Sequence, residues 1–271
     1  MIDQRIGFIG AGRMATALAR GFLRAELTAP DRLLASDIDE HALRRFTEAT
    51  SAPTTDDNRL LAERSDVIFL AVKPQTMAAV AEGLRGVATE ASLLVSIAAG
   101  IRLELLARWF GQRPRVIRVM PNNPCLVGQG ASAYCLGERA SAEDGLLVER
   151  LLGALGSAWK VGEDQMDAVT GLSGSGPAFV YQMIDALGEA GKRLGLPPEA
   201  AAAMAAQTAR GAAEMVLAAG RPPAELIDDV ASPGGTTVAG LKTLDAHEFR
   251  GAVIAAVEAA AKRSRELGTE R

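Results

Sequence analysis

Cysteine and histidine are both scarce in this chain of 271 residues, with two of each. Cys125 and Cys135 have no histidine nearby and form no Cys-x-x-Cys pair. That excludes the common zinc spacings and a disulfide framework, and both thiols are expected to be buried small hydrophobes. No metal is expected. His41 and His247 each lie among acidic residues in charged helical settings, so chemistry requiring a histidine base has a poor choice of two. Long apolar runs are also missing: 48% of the residues are hydrophobic, yet no run approaches the ~20 residues of a membrane span. The opening Met1-Ile2-Asp3-Gln4-Arg5 reads straight into a strand and not into a signal peptide. Nor is there an excess of positive charge, since 29 Lys and Arg against 33 Asp and Glu leave a formal net charge of -4 and no basic stripe stands out. Neither nucleic acid nor a membrane is an expected partner, and a soluble, cytoplasmic metabolic protein of two domains is the expectation.

What is present divides the chain in two. Short apolar or β-branched runs at 5–9, 33–36, 67–72, 93–97, 116–120 and 131–136 are separated in several places by amphipathic helical stretches such as 14–24 and 103–110. This alternation predicts an α/β fold, a Rossmann-type doubly wound parallel sheet. Past Gly162-Glu163-Asp164 the strand-like runs stop and alanine-rich helices follow, including 177–194, 198–219 and 249–267. The boundary is therefore set at 162, with a dinucleotide-binding domain over 1–162 and an all-helical domain over 163–271. Runs such as 200–206 present small side chains on every face, which favours helix and close packing but supplies few large residues for burial. Packing against a second subunit would supply the rest; the alternative is a compact lobe packed on its own first domain.

The segment Gly7-Phe8-Ile9-Gly10-Ala11-Gly12-Arg13-Met14-Ala15 is a variant of the dinucleotide fingerprint. Gly10 makes the tight turn after the first strand, Gly12 lets backbone approach a pyrophosphate, and Ala15 fills the third small position where helix meets strand. Ser36 and Asp37 end the second strand. A carboxylate at 37 would accept hydrogen bonds from a ribose and repel a 2'-phosphate, which favours NADH over NADPH. The alternative is that Asp37 caps the helix opening near Glu40 and Ser36 holds a phosphate, which keeps NADPH open. Other strand ends complete a crevice: Ala71-Val72-Lys73-Pro74, Ala98-Ala99-Gly100, and Met120-Pro121-Asn122-Asn123-Pro124, whose prolines either fix a loop or accompany direct contact.

In the helical half, Ser232-Pro233-Gly234-Gly235-Thr236-Thr237 lies where one helix ends and another begins. Two glycines, amides at a helix start and two hydroxyls suit a carboxylate. The plain alternative is a turn with threonine as helix cap.

Four segments together, 7–15, 71–75, 167–178 and 232–237, resemble pyrroline-5-carboxylate reductase, and the resemblance runs nearly end to end. It implies that Gly10 to Ala15 hold the pyrophosphate, that Asn58 meets the adenosine ribose, and that Lys73, Pro74, Ala98 and Gly100 line the nicotinamide end. It implies that amides of Gly234, Gly235, Thr236 and Thr237 bind the ring carboxylate, with Ser232 and Ser175 on the substrate side. The Thr237 hydroxyl would bond the ring nitrogen, as the catalytic residue. It further implies a homodimer through the helical domain, assembling into a decamer of five dimers, in which one subunit's loop completes its neighbour's site. Two positions depart from the commoner pattern: Asn123 replaces a threonine, and Asp37 replaces a serine frequent in NADPH users.

The chemistry agrees with the residues. Reducing a cyclic imine needs a hydride donor, a proton and a fixed ring, and little acid-base apparatus. The expected activity is transfer of hydride from NAD(P)H to the C=N carbon of 1-pyrroline-5-carboxylate, giving L-proline. A short-chain β-hydroxyacid dehydrogenase shares the two-part layout, but Val180 and Ile184 stand where that family has a catalytic lysine and an asparagine. A non-catalytic NAD-sensing scaffold is the other alternative, and the complete substrate loop argues against it.

Overall fold

The computed structural model describes residues 1–111 and 113–269. In chain order it contains β1 (Ile6–Ile9), α1 (Arg13–Arg24), β2 (Leu33–Ser36), α2 (Glu40–Thr50), β3 (Thr54–Thr55), α3 (Asn58–Glu63), β4 (Val67–Leu70), α4 (Met77–Gly83), β5 (Leu93–Ser96) and α5 (Leu103–Phe110). There follow β6 (Arg115–Met120), β7 (Gly130–Leu136), α6 (Ala142–Gly153), β8 (Gly156–Lys160), α7 (Met166–Val169), α8 (Gly176–Arg193), α9 (Pro198–Ala219), α10 (Pro223–Val230), α11 (Thr236–Ala246) and α12 (Phe249–Thr269). Compactness divides the chain into two units, Met1–Ser175 with the segment from Ala259 onward, and Gly176–Glu258.

The first unit is built on one sheet of order β3-β2-β1-β4-β5-β6-β7-β8. Strand order reverses at β1, whose neighbours are β2 and β4, both parallel to it. A sheet that winds outward in both directions from one strand opens a crevice at that strand's carboxyl end. The wholly parallel sheet expected from the alternation is corrected at one place, since β6 and β7 are antiparallel. Only residues 121–129 join them, and a parallel crossover takes roughly a dozen residues or more. Two strands lacked a legible pattern: β3 is a pair of half-buried threonines, and β8 at the sheet edge leaves Ser157, Trp159 and Lys160 exposed.

The core of this unit follows from its apolar periodicity. β1 and β4 are buried on both faces, and Phe8 stacks on Phe69 with ring centroids 5.1 Å apart, flanked by Phe22 of α1 and Phe46 of α2. Helix α1 turns Ala15, Leu18, Ala19 and Phe22 inward, a helical repeat with small residues near its start. Both cysteines are buried and free.

The second unit has a different composition inside. α8 and α9 lie close enough that a Cβ added at Gly188 would stand 3.7 Å from the Ala202 Cα. In α8 and α9 the fully buried residues are small: Gly188, Ala201 and Ala205. Tyr181, Leu187, Met204, Met215 and Leu217 remain exposed. No helix among the described residues is long and apolar enough to cross a membrane.

Candidate active site

At the reversal of strand order the chain turns sharply at Gly10. Gly10 has φ of +97°, and a Cβ there would lie 2.7 Å from the carbonyl oxygen of Ala71, so only glycine fits. Its N–H donates to the Ser36 carbonyl at 2.8 Å, tying the turn to the end of β2. Gly12 is glycine for a different reason. It is the exposed N-cap of α1, with ordinary φ of -72°, and a Cβ there would meet nothing within 4 Å. The protein leaves free the space that a side chain would take, directly over a helix start with no side-chain cap and no acidic residue in the first turn. Such a cradle fits the pyrophosphate of a dinucleotide. Ala11 and Ala15 are buried, Arg13 is exposed and Met14 half-buried.

The second strand end is more tightly bonded than its residue types announce. Asp37 accepts from the Ala11 N–H at 2.8 Å through Oδ2 and from the Asp39 N–H at 3.0 Å through Oδ1. The alternative in which Asp37 caps α2 is corrected, because the N-cap is Asp39, which accepts from the His41 N–H. Ser36 is fully buried, and its hydroxyl donates to Asn58 Oδ1 at 2.6 Å, which orients the Asn58 amide at the start of α3. Asp37 thus braces the glycine loop while presenting its charge at the crevice.

On the other side of the crevice, Ala71 and Val72 are half-buried, and exposed Lys73 begins the turn at Pro74–Thr76, its carbonyl accepting from the Thr76 hydroxyl at 2.9 Å. Ala98 is buried, Ala99 exposed, and Gly100 is buried with φ of +74°. The end of α12 returns here: a Cβ at Gly268 would lie 3.3 Å from the Gly100 carbonyl oxygen. Ser264 of the same helix donates to Asp167 Oδ1 at 2.7 Å. Asn122 ties the loop to two other segments, its amide donating to the Ser173 carbonyl and its Oδ1 accepting from the Ala131 N–H. Asn123 is exposed. Ser175 closes the π-helical turn at Thr170–Gly174, its N–H donating to the Thr170 carbonyl at 2.8 Å.

Two residues that the sequence reading passed over support this half. Arg118 lies nearly buried in β6 and pairs with Glu163 at 3.2 Å, while Glu163 also accepts from the Leu103 N–H that opens α5. A charge inside the apolar run Val116-Ile117-Arg118-Val119 was the signal, since a buried charge needs a partner. Burial, and then the Glu163 charge, push the neighbouring Cys135 thiol up to about 11. No group of three or more metal-ligating side chains occurs among the described residues.

In the second unit, the loop 232–237 forms a helix start without a side-chain cap. Gly235 is the N-cap of α11, so the alternative with threonine as cap is corrected, and Thr236 and Thr237 open the helix itself. Gly234 has φ of +72° and open space around its Cα, while the Gly235 N–H donates to the Ser232 carbonyl at 2.9 Å. Ser232, Gly234 and Thr236 are exposed and Thr237 is half-buried.

Residues 163–267 match the family described as pyrroline-5-carboxylate reductase dimerisation, and residues 5–100 match NADP oxidoreductase coenzyme F420-dependent. A pyrroline-5-carboxylate reductase of Glycine max is 46% identical over 262 residues, covering 97% of this chain and 95% of that one. The chain belongs to the pyrroline-5-carboxylate reductase family. The solved structure of such a reductase from Coxiella burnetii superposes with a TM-score of 0.92 at 36% identity, over 98% of this chain and 99% of that one. A pyrroline carboxylate reductase of Plasmodium falciparum, solved with NADP bound, gives 0.89 at 33% identity over 99% of both chains. Solved prephenate dehydrogenase at 14% identity shares the fold alone.

Proposed function

We propose that the glycine-rich start of α11 binds the carboxylate of 1-pyrroline-5-carboxylate and that Thr237 orients the ring nitrogen for reduction to L-proline. The activity is that of the family, an NAD(P)H-dependent reduction of a cyclic imine. The uncapped amides of Thr236 and Thr237 carry the substrate assignment: they lie at a helix start whose dipole favours an anion, beside hydroxyls and without a competing carboxylate in the first turn. Bound NAD(P)H supplies the hydride for the C=N carbon. Gly10 to Ala15 would hold its pyrophosphate, Asp37 and Asn58 its adenosine ribose, with Ser36 buried behind Asn58 and orienting it, and Ala71 to Pro74 with Ala98 to Gly100 its nicotinamide end. A protonated imine is already electrophilic, so the chain's task is to clamp the carboxylate, fix the ring and keep the nitrogen hydrogen-bonded. Ser232 shapes the loop by accepting from Gly235, and Ser175 would stand on the substrate side.

Thr237→Ala is expected to lower turnover by about 100-fold, the lower end of what a positioned proton donor contributes, with cofactor affinity nearly unchanged. Steady-state kinetics read both, and unaltered turnover overturns the role of Thr237.

The Asp37 carboxylate supports NADH as the preferred donor. A 2'-phosphate would meet its negative charge, and both carboxylate oxygens are held by backbone N–H groups. The ratio of kcat/KM for NADH and NADPH tests this. Asp37→Ser should shift the ratio toward NADPH while weakening both cofactors, because the Ala11 N–H loses its acceptor. We further propose residues 1–162 as the dinucleotide-binding domain and 163–271 as the dimerisation and substrate domain. The exposed apolar side chains of the second unit support a homodimer, and five such dimers forming a decamer and a cytoplasmic location complete the reading. Light scattering on the purified enzyme and cell fractionation test those two.

A further inference from the structure

Helix α1 carries Arg13, Arg20 and Arg24, and their spacing puts all three along one face of the helix. That face and Arg45 of α2 line a cavity of about 350 Å³, with Gly12 at its lip and Cys125 in its wall. No Asp or Glu lines it among the described residues. In a chain with 29 cationic and 33 acidic side chains, a concavity with four guanidinium groups and no carboxylate is a strong local departure from the mean. Among the described residues Arg13, Arg20 and Arg24 pair with no carboxylate, and Arg45 reaches Asp39 only at 3.8 Å. Like charges around one concave surface raise its potential, which a bound anion relieves. Guanidinium groups take phosphate oxygens in pairs. The volume lies within the roughly 300–1,000 Å³ of small-molecule sites.

We propose that this cavity is an inhibitory site for a small polyphosphate anion, competing with the dinucleotide at Gly12. It is not the pyrophosphate cradle itself. Arg20 and Arg24 lie about 10 and 16 Å along the helix from Arg13, down the flank of α1 and away from the strand ends. The anion is bound by the arginines and shares Ala11, Gly12 and Arg13 with the cofactor, while Arg20, Arg24 and Arg45 belong to the anion alone. Competition rests on the assignment of the glycine loop to cofactor; the binding of the anion does not.

The probe is inorganic tripolyphosphate at constant ionic strength, with wild type and the double variant Arg20→Gln, Arg24→Gln, both exposed positions. Calorimetry on the enzyme alone should show binding that the double variant weakens tenfold or more. In the assay the anion should inhibit competitively with NADH, and the double variant should lose that inhibition while its NADH KM changes less than twofold. Absence of binding, or equal affinity in both proteins, overturns the site. A rise in NADH KM matching the loss of inhibition overturns it too, by assigning the arginines to the cofactor. Binding without competition leaves the site intact and removes its inhibitory role and the shared lip.

Discussion

The two units of this chain solve burial differently. In Met1–Ser175 the sheet and its helices enclose large side chains, and Phe8, Phe22, Phe46 and Phe69 are wholly shielded from solvent. In Gly176–Glu258 the helices close on Gly188, Ala201 and Ala205, while Leu187, Leu217 and Ile254 stay in contact with solvent. Burial of a large apolar side chain contributes roughly 1.5–3 kcal/mol, and a methyl group much less. The first unit therefore holds its own core, and the second leaves the apolar area that a second subunit would cover. The residues proposed for the cofactor belong to the first unit, and the loop proposed for the substrate belongs to the second.

The largest expected effect would break that dependence. Met183→Glu with Leu187→Glu places two charges one turn apart on an exposed apolar stretch of α8. Light scattering should show loss of the assembled species, and an unchanged mass would mean that this stretch needs no partner. Next, Phe69→Ala should cost about 4 kcal/mol in denaturant unfolding, whereas Leu217→Ala, at an exposed site, should cost little in dilute solution and more as protein concentration rises.

Smaller changes separate the two glycines of the loop between β1 and α1. Gly10→Ala should cost about 2 kcal/mol of stability from its left-handed backbone, besides its clash with Ala71. Gly12→Ala should cost under about 1 kcal/mol and raise cofactor KM by tenfold or more, because the added methyl occupies ligand space only. A pH dependence in the first unit closes the series. With the Cys135 thiol raised from 9.0 to about 11, the folded state holds a proton that the unfolded chain releases. That stability is fully present below pH 9 and is lost as pH rises toward 11; Cys135→Ala should flatten the loss in alkaline unfolding curves.

Much of the site could be read from residue types alone. Gly10 and Gly12 follow a strand and open a helix, and Gly234-Gly235-Thr236-Thr237 opens another, so both glycine-rich helix starts were legible as local patterns. Asp37 was legible as a carboxylate at a strand end, but its bond to Ala11 depends on how the loop 26 positions earlier folds back. Asn122 was visible between prolines, yet its partners Ser173 and Ala131 come from separate segments. The antiparallel β6–β7 pair was hidden because an apolar strand pattern carries no direction.

By itself the sequence determined the two-part layout, the glycine starts of α1 and α11 and the family, because these rest on periodicity, backbone freedom and motif order within short windows. The tertiary structure decided which strand runs backwards, that Gly12 is free of protein contacts, that Asp37 braces the loop, and that four arginines share one cavity. Those outcomes depend on which distant segments meet, and the free energy of such meetings resides in contacts that no local window contains.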